Sequence, residues 1–239
     1  MYKAAIFDMD GTILNTITDL TESINHSLSL IGERHDFTEE EVKLCFGCGI
    51  RADMEKSLAM ARGCPLNDLE WIGNRIPLSD YHITEEELIG LENLFNPYYA
   101  SHSRNHTAPY EGIPEVLHTL IGKGIQTAVA SNKNDSDVQI LSKAIFPGLF
   151  TLSIGNNENI RRKPAPDMIH EILDKLHLSK EEAIYIGDSE VDIETARNAC
   201  IPCISVAWGF RTEDFLSRHH AEKIISTPEE LVEIISDEP

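Results

Sequence analysis

A chain of 239 residues, 41% of them hydrophobic, has room for one substantial core domain and a smaller insert. Its formal net charge of −20 argues against nucleic acid or an anionic membrane as partner, since both require a basic face, so an anionic ligand would have to be drawn in locally by a metal and a few placed cations. No apolar run approaches the length of a membrane span, and Met1-Tyr2-Lys3 passes straight into a strand-like run without a signal-peptide core, so the expected location is cytoplasmic.

The first element is the apolar run Ala4-Ala5-Ile6-Phe7, which leads into Asp8-Met9-Asp10-Gly11-Thr12. Alternate residues of a strand share a face, so a chain that stays extended carries Asp8 and Asp10 side by side out of the strand end. Carboxylates that close call for a cation between them or for one retained proton. The same residues also read as a hairpin, because Asp-Gly between apolar residues is a strong two-residue turn signal.

Next, Ile17, Leu20, Ile24, Leu28 and Ile31 recur at helical spacing up to Gly32. Thr38-Glu39-Glu40-Glu41 reads as a capping box, and Ile50, Met54, Leu58 and Ala61 as a third helix ended by Gly63. Thr84-Glu85-Glu86-Glu87 starts another, which Pro97 is expected to kink or end. With no strand predicted between residues 15 and 106, residues 15–106 form an all-helical inserted domain, and 1–14 together with 107–239 form the core domain. The short joins, Asn15-Thr16 going out and Ser103–Pro109 coming back, suit a hinge.

From about residue 107 strands and helices alternate. Ile113, Val116, Leu117 and Leu120 mark a helix, 126–130 a strand, 150–154 a short strand, and Ile169, Ile172, Leu173 and Leu176 a helix. Strand 183–186, a helix through Ile193, Ala196 and Ala199, strand 203–207 and a last short strand at 223–225 follow. Such repeated units predict an α/β fold, a doubly wound parallel sheet of Rossmann-like design. The five cysteines, Cys45-x-x-Cys48, Cys64 and Cys200-x-x-Cys203, are odd in number, and the two CxxC pairs lie too far apart in the chain for ordinary zinc knuckles. They are expected to be reduced packing thiols.

Ligands of open parallel sheets bind at the carboxyl ends of the strands. Those ends carry Asp8-Met9-Asp10, Ser131-Asn132-Lys133 and Gly187-Asp188-Ser189-Glu190-Val191-Asp192, while Arg161-Arg162-Lys163-Pro164-Ala165-Pro166 leads into a helix. Each has a plainer reading: Ser131 as a helix cap, Ser189-x-x-Asp192 as a capping box, Asp188 as a turn residue, and the basic run as a solvated loop. Four such segments in this order, each at a strand end or a helix lead-in, make coincidence a poor account.

These segments resemble the four motifs of the haloacid dehalogenase superfamily of phosphotransferases: DxDGT, a strand ending in Ser-Asn, Lys followed by Pro-x-Pro, and GDxxxD. The helical insert resembles that family's helical cap. Ser131-Asn132-Lys133, Lys163-Pro164-Ala165-Pro166-Asp167 and Trp208-Gly209-Phe210 are similar to the phosphoglycolate phosphatase group. The resemblance covers about residues 1–15 and 107–235 and only loosely the insert.

The resemblance implies a phosphomonoester hydrolase in which Asp8 attacks phosphorus to form an aspartyl-phosphate and Asp10 serves as general acid and then base. It implies Mg²⁺ held by the carboxylates of Asp8 and Asp188, the backbone carbonyl of Asp10, and Asp192 directly or through water. Ser131 and Asn132 would hold the phosphoryl group, Lys163 would balance charge, and Thr12 would steady the turn beside the substrate. Asp8, Asp188, Asp192 and a dianionic phosphate total roughly −5 against about +3 from Mg²⁺ and Lys163, so without metal the site would repel its substrate.

The implied partner is a small phosphorylated metabolite, most like 2-phosphoglycolate, with monomer and homodimer both open. Arg51, in Phe46-Gly47-Cys48-Gly49-Ile50-Arg51, reads either as a substrate contact from the insert or as an exposed arginine at a helix start. His102, His106, His219 and His220 show no metal-ligand pattern. A hexose-phosphate mutase of the β-phosphoglucomutase kind shares all four motifs, and a non-catalytic phosphate-ligand sensor on the same fold is the alternative from another class.

Overall fold

The computed structural model describes residues 2–236; Met1 and residues 237–239, which fall within the expected core span, lie outside the described residues. In chain order the elements are strands β1 (Ala4–Phe7) and β2 (Leu14–Asn15), then helices α1 (Ile17–Leu30), α2 (Glu39–Lys43), α3 (Ile50–Ala61) and α4 (Glu85–His102). There follow β3 (Ala108–Pro109), α5 (Ile113–Gly122), β4 (Gln126–Asn134), α6 (Asp135–Ile145), β5 (Leu152–Asn156) and α7 (Asp167–Leu176). The chain finishes with β6 (Ala183–Gly187), α8 (Glu190–Ala199), β7 (Cys203–Val206), α9 (Glu213–Arg218), β8 (Ile224–Ile225) and α10 (Glu230–Ser236). It divides into two compact units, one joining the stretch up to Asn15 to everything from Ala108 onward, the other Thr16–Thr107.

The first unit is built on a six-stranded parallel sheet in the order β5-β4-β1-β6-β7-β8. Period-two alternation sorts its side chains. Ala5, Phe7, Val129, Ile184 and Ile186 pack with apolar residues of α5, α6 and α10 on one face, while Ala4, Ile6, Ala128 and Tyr185 pack with those of α7 and α8 on the other. Helices on both faces make this a doubly wound α/β fold. After β5 the chain crosses to the far side of β1, so the strand order reverses between β1 and β6, the place where open α/β sheets bind ligands.

The opening stretch is therefore not a hairpin: β1 pairs with β4 and β6, both parallel. After Phe7 the backbone turns, with Gly11 at φ 82°, the amides of Ile13 and Leu14 donating to the Met9 carbonyl (3.1 and 3.0 Å) and the Gly11 amide to the Leu14 carbonyl (2.9 Å). Glycine takes that left-handed conformation without a Cβ penalty. The outgoing β2 pairs antiparallel with the returning β3.

The second unit is helical, with α1 packed along α4 and neither β1–β8 strand nor membrane-length apolar helix within it. Of the two expectations for Pro97, a kink or an end to the fourth helix, the end does not hold, since α4 continues to His102. The buried stripe Leu88, Leu91, Phe95 and Tyr99 runs on both sides of Pro97, and Phe95 and Tyr99 stack at 5.4 Å, so side-chain packing outweighs the one backbone hydrogen bond that proline removes. Asp19, 1% exposed, accepts from the amides of His106 (3.0 Å) and Thr107 (2.9 Å) and from the Thr107 hydroxyl (2.7 Å), which pins the unit's last residues to α1.

Thr84 and Glu87 form a full capping box, and Glu87 also pairs with Arg62 at 2.7 Å. The Arg62 guanidinium, with the Thr84 amide and hydroxyl behind it, lowers the Glu87 carboxyl to about 2. A folded-state value below the unfolded one gives stability that is present above the ordinary carboxylate range and lost as pH falls toward 2. Glu87→Gln is expected to unfold at lower urea than wild type at pH 7, with the gap closing between about pH 4.5 and 2. Urea midpoints across that range check it, and a gap that does not depend on pH would contradict it.

Candidate active site

Four loops at the carboxyl ends of β1, β4 and β6 and ahead of α7 converge on Lys163. Its ammonium, 2% exposed, donates to Asp8 Oδ1 (2.8 Å), Asp192 Oδ1 (2.8 Å) and the Tyr185 hydroxyl (2.9 Å). Asp8 follows β1, its amide donating to the Ile186 carbonyl (2.8 Å). Asp188 follows β6; its Oδ1 accepts from the Thr12 hydroxyl (3.2 Å) and its Oδ2 from the Phe210 amide (2.7 Å). Asp192 Oδ2 accepts from the Ser189 amide (3.1 Å) and hydroxyl (2.6 Å), so the capping box at the start of α8 and the acidic cluster use one carboxylate between them.

Asp8, Asp188 and Asp192 are all buried, and each offers an oxygen within 4.8 Å of the others. Burial pushes the Asp8 carboxyl up to about 7, against the pull of Lys163 and with the help of Asp192. Burial, then Asp192 and Asp8, raise Asp188 well above the carboxylate range. Lys163 moves upward as well: burial opposes its charge, but Asp192 and Asp8 outweigh it. Fully ionised, the three carboxylates would exceed the one ammonium by two negative charges, the charge of one divalent cation.

The surroundings are shaped to the same cluster. A Cβ at Gly11 or Gly209 would overlap Asp188, and one at Gly187 would overlap Asp192, so these carboxylates sit in a cradle that only glycine leaves open. An all-oxygen donor set of this kind suits a hard cation such as Mg²⁺. The residues present thus fit a metal ion.

Asp10 is not one of the three clustered carboxylates. Its Oδ2 is 3.1 Å from Lys133 Nζ, and its Oδ1 is buried without a hydrogen-bond partner among the described residues. Ser131, 2% exposed, does not cap α6, whose N-cap is Asn134; its hydroxyl accepts the Lys133 amide at 3.3 Å. Asn132 uses its side chain as a clamp, accepting the Lys163 amide (2.8 Å) and donating to the Lys163 carbonyl (3.1 Å). Thr12 is wholly buried and its hydroxyl goes to Asp188, which makes it a brace for the carboxylates.

The basic run splits: Arg161 pairs with Asp167 at the surface, whereas Lys163 is interior. Arg51 belongs to the helical unit, where it ion-pairs with Glu92 (2.9 Å), Glu55 (3.8 Å) and Glu85. His106 does have acidic neighbours, its ring 3.5 Å from Glu22 and near Asp19, although the Asp19 oxygens already serve the His106 and Thr107 amides. None of the five cysteines is in a disulfide; Cys200, exposed, takes the left-handed position that ends α8.

The role of one residue and the placement of one segment go beyond the sequence analysis. Tyr185 appeared there only as an apolar strand residue, yet its buried hydroxyl reaches Lys163, Asp192 (2.9 Å) and the Ala130 carbonyl (3.2 Å). The Trp208-Gly209-Phe210 segment walls the cluster, Trp208 donating from its indole to the Thr12 carbonyl at 3.0 Å. Its position just past the carboxyl end of β7 was the available signal.

A doubly wound α/β protein with an acidic cluster and a buried lysine at its switch point belongs among the enzymes of that fold. Residues 5–206 match the haloacid dehalogenase-like hydrolase family. The crystal structure of a candidate phosphoglycolate phosphatase from Lactobacillus delbrueckii subsp. bulgaricus superposes with a TM-score of 0.94 at 43% identity, covering 98% of each chain. Phosphoglycolate phosphatase from Mannheimia succiniciproducens is 28% identical over 235 residues, 98% of each chain. That of Escherichia coli K12 is 25% identical over 236 residues, 98% of this chain and 90% of the other. The chain belongs to the haloacid dehalogenase-like hydrolases and, within them, to the phosphatase type.

Proposed function

We propose that this enzyme hydrolyses a small phosphomonoester, most like 2-phosphoglycolate, through an aspartyl-phosphate on Asp8 and with Mg²⁺. The observation that carries the reading is Lys163 bridging Asp8 and Asp192 beside Asp188, a buried cluster two positive charges short of balance. The similarity to phosphoglycolate phosphatases over nearly the whole chain supports the substrate class.

In this reading an oxygen of Asp8 attacks phosphorus as the bond to the leaving oxygen breaks, and Asp10 gives that oxygen its proton. Asp10 then takes a proton from water as the water attacks the aspartyl-phosphate, which releases inorganic phosphate and restores Asp8. The Ser131 hydroxyl and the Asn132 backbone N–H hold the phosphoryl oxygens, and Lys163 offsets their charge. Asp8, Asp188, the Asp10 carbonyl and Asp192 would hold Mg²⁺, whose chemistry there is to screen negative charge and orient the phosphoryl group. Asp192 would act through water, because its oxygens already serve Lys163, Tyr185 and Ser189.

The test is phosphate release from 2-phosphoglycolate, pyrophosphate, nucleoside monophosphates and sugar phosphates, with and without Mg²⁺. Release from 2-phosphoglycolate that needs Mg²⁺ and stops with chelator is expected. Full turnover in excess chelator would reject the metal assignment, isomerisation without net phosphate release would point to a mutase, and binding without turnover of any phosphoester would point to a sensor.

A further inference from the structure

The catalytic reading uses Asp10 but leaves its neighbour without a task. Lys133 Nζ lies 3.1 Å from Asp10 Oδ2, the two side chains being 7% and 16% exposed, while Oδ1 of the same carboxylate is buried without a hydrogen-bond partner among the described residues. One oxygen is held by the lysine and the other is left without a partner among the described residues.

Several features fix the lysine. The pairing of β4 with β5 shifts between Ala130 and Asn134, the stretch that contains Lys133, and the Ser131 hydroxyl accepts the Lys133 amide at 3.3 Å. Behind it, Gly155 lets β5 approach so closely that a Cβ there would meet the Lys133 carbonyl at 2.8 Å, and the Gly155 amide donates to Asp135 Oδ1 at 2.8 Å. Backbone fixed at both ends of a strand irregularity aims a side chain more tightly than a free loop does.

On the hydrolytic reading above, we infer that Lys133 is the positioning residue of the acid–base step. It anchors Asp10 Oδ2 so that Oδ1 alone meets the leaving oxygen and later the water. When the bond from phosphorus to an alkoxide oxygen breaks, the proton on Oδ1 passes to that oxygen. The carboxylate left behind faces the Lys133 ammonium. Without Lys133 the carboxylate is free to rotate, and productive orientation becomes one of several.

The readout that separates this role from a merely structural one is leaving-group dependence. An alkyl phosphate needs the proton, whereas p-nitrophenyl phosphate, with its acidic phenol, needs it little. Lys133→Met is expected to slow phosphoenzyme formation from an alkyl phosphate by ~10²-fold, within the range general acids contribute. The p-nitrophenolate burst should change only a few-fold. Lys133→Arg should restore most of the loss, and Lys133→Met placed on Asp10→Asn should add nothing further.

Equal losses with both substrates, or additive losses on Asp10→Asn, would overturn the assignment, as would an unchanged alkyl phosphate rate. Retained urea stability of Lys133→Met shows that the variant folds, and Lys133→Arg covers the case where it does not. A wild-type enzyme that forms no phosphoenzyme would instead sink the parent reading, so the two failures are distinguishable.

Discussion

Asp8→Asn is expected to fold as wild type does and to release phosphate at least ~10⁴-fold more slowly, the scale of loss when a covalent nucleophile is removed. The amide keeps the shape of the carboxylate and an oxygen for the Lys163 ammonium, so the packing around β1 is undisturbed. It also removes one of three crowded carboxylate charges, and with it the burial cost that, helped by Asp192, pushes Asp8 up to about 7. Stability should therefore hold or rise while turnover disappears. Urea denaturation and phosphate release on the same preparation measure both; a variant that keeps more than about 1% of wild-type turnover would remove Asp8 from the nucleophile's role.

Lys163→Met carries the second large effect, and here fold and activity should fall together. The thioether fills the volume but leaves Asp8, Asp192 and the Tyr185 hydroxyl facing one another without their shared donor. Removing one side of a buried ion pair typically costs about 3–5 kcal/mol, most of it the penalty of the charge left behind. The loss should be read from urea midpoints in the absence of divalent ions. Added Mg²⁺ should recover part of it, because a cation bound at Asp8 and Asp188 supplies the charge the lysine took away. A Lys163→Met protein as stable as wild type, with or without metal, would show that the buried charge balance is not what holds these loops together.

Much of this was legible from residue order alone. The apolar runs at 4–7, 128–130 and 183–186 follow from burial on both faces of a parallel sheet, a property each strand carries locally. Asp8, Lys163 and Asp188 could be picked out because strand ends and helix lead-ins are recognisable without knowing their neighbours. Tyr185 could not: its hydroxyl matters through partners elsewhere in the chain, Lys163 22 positions away among them, and in a buried strand a tyrosine reads as one more apolar side chain. The Asn132 clamp on Lys163 and the Lys133 contact with Asp10 were hidden for the same reason. At Pro97 a local rule left the helix to kink or end, and it does not end there, because the Leu91–Phe95–Tyr99 stripe stabilises the helix from outside it.

Covalent trapping tests the central claim most directly. The enzyme is mixed with a ³²P-labelled phosphomonoester and Mg²⁺, quenched in acid within milliseconds, and digested for peptide mapping. Label on the peptide that contains Asp8, labile at alkaline pH and absent from Asp8→Asn, is the predicted result. Turnover with no labelled protein, or label on a serine or histidine peptide, would contradict it.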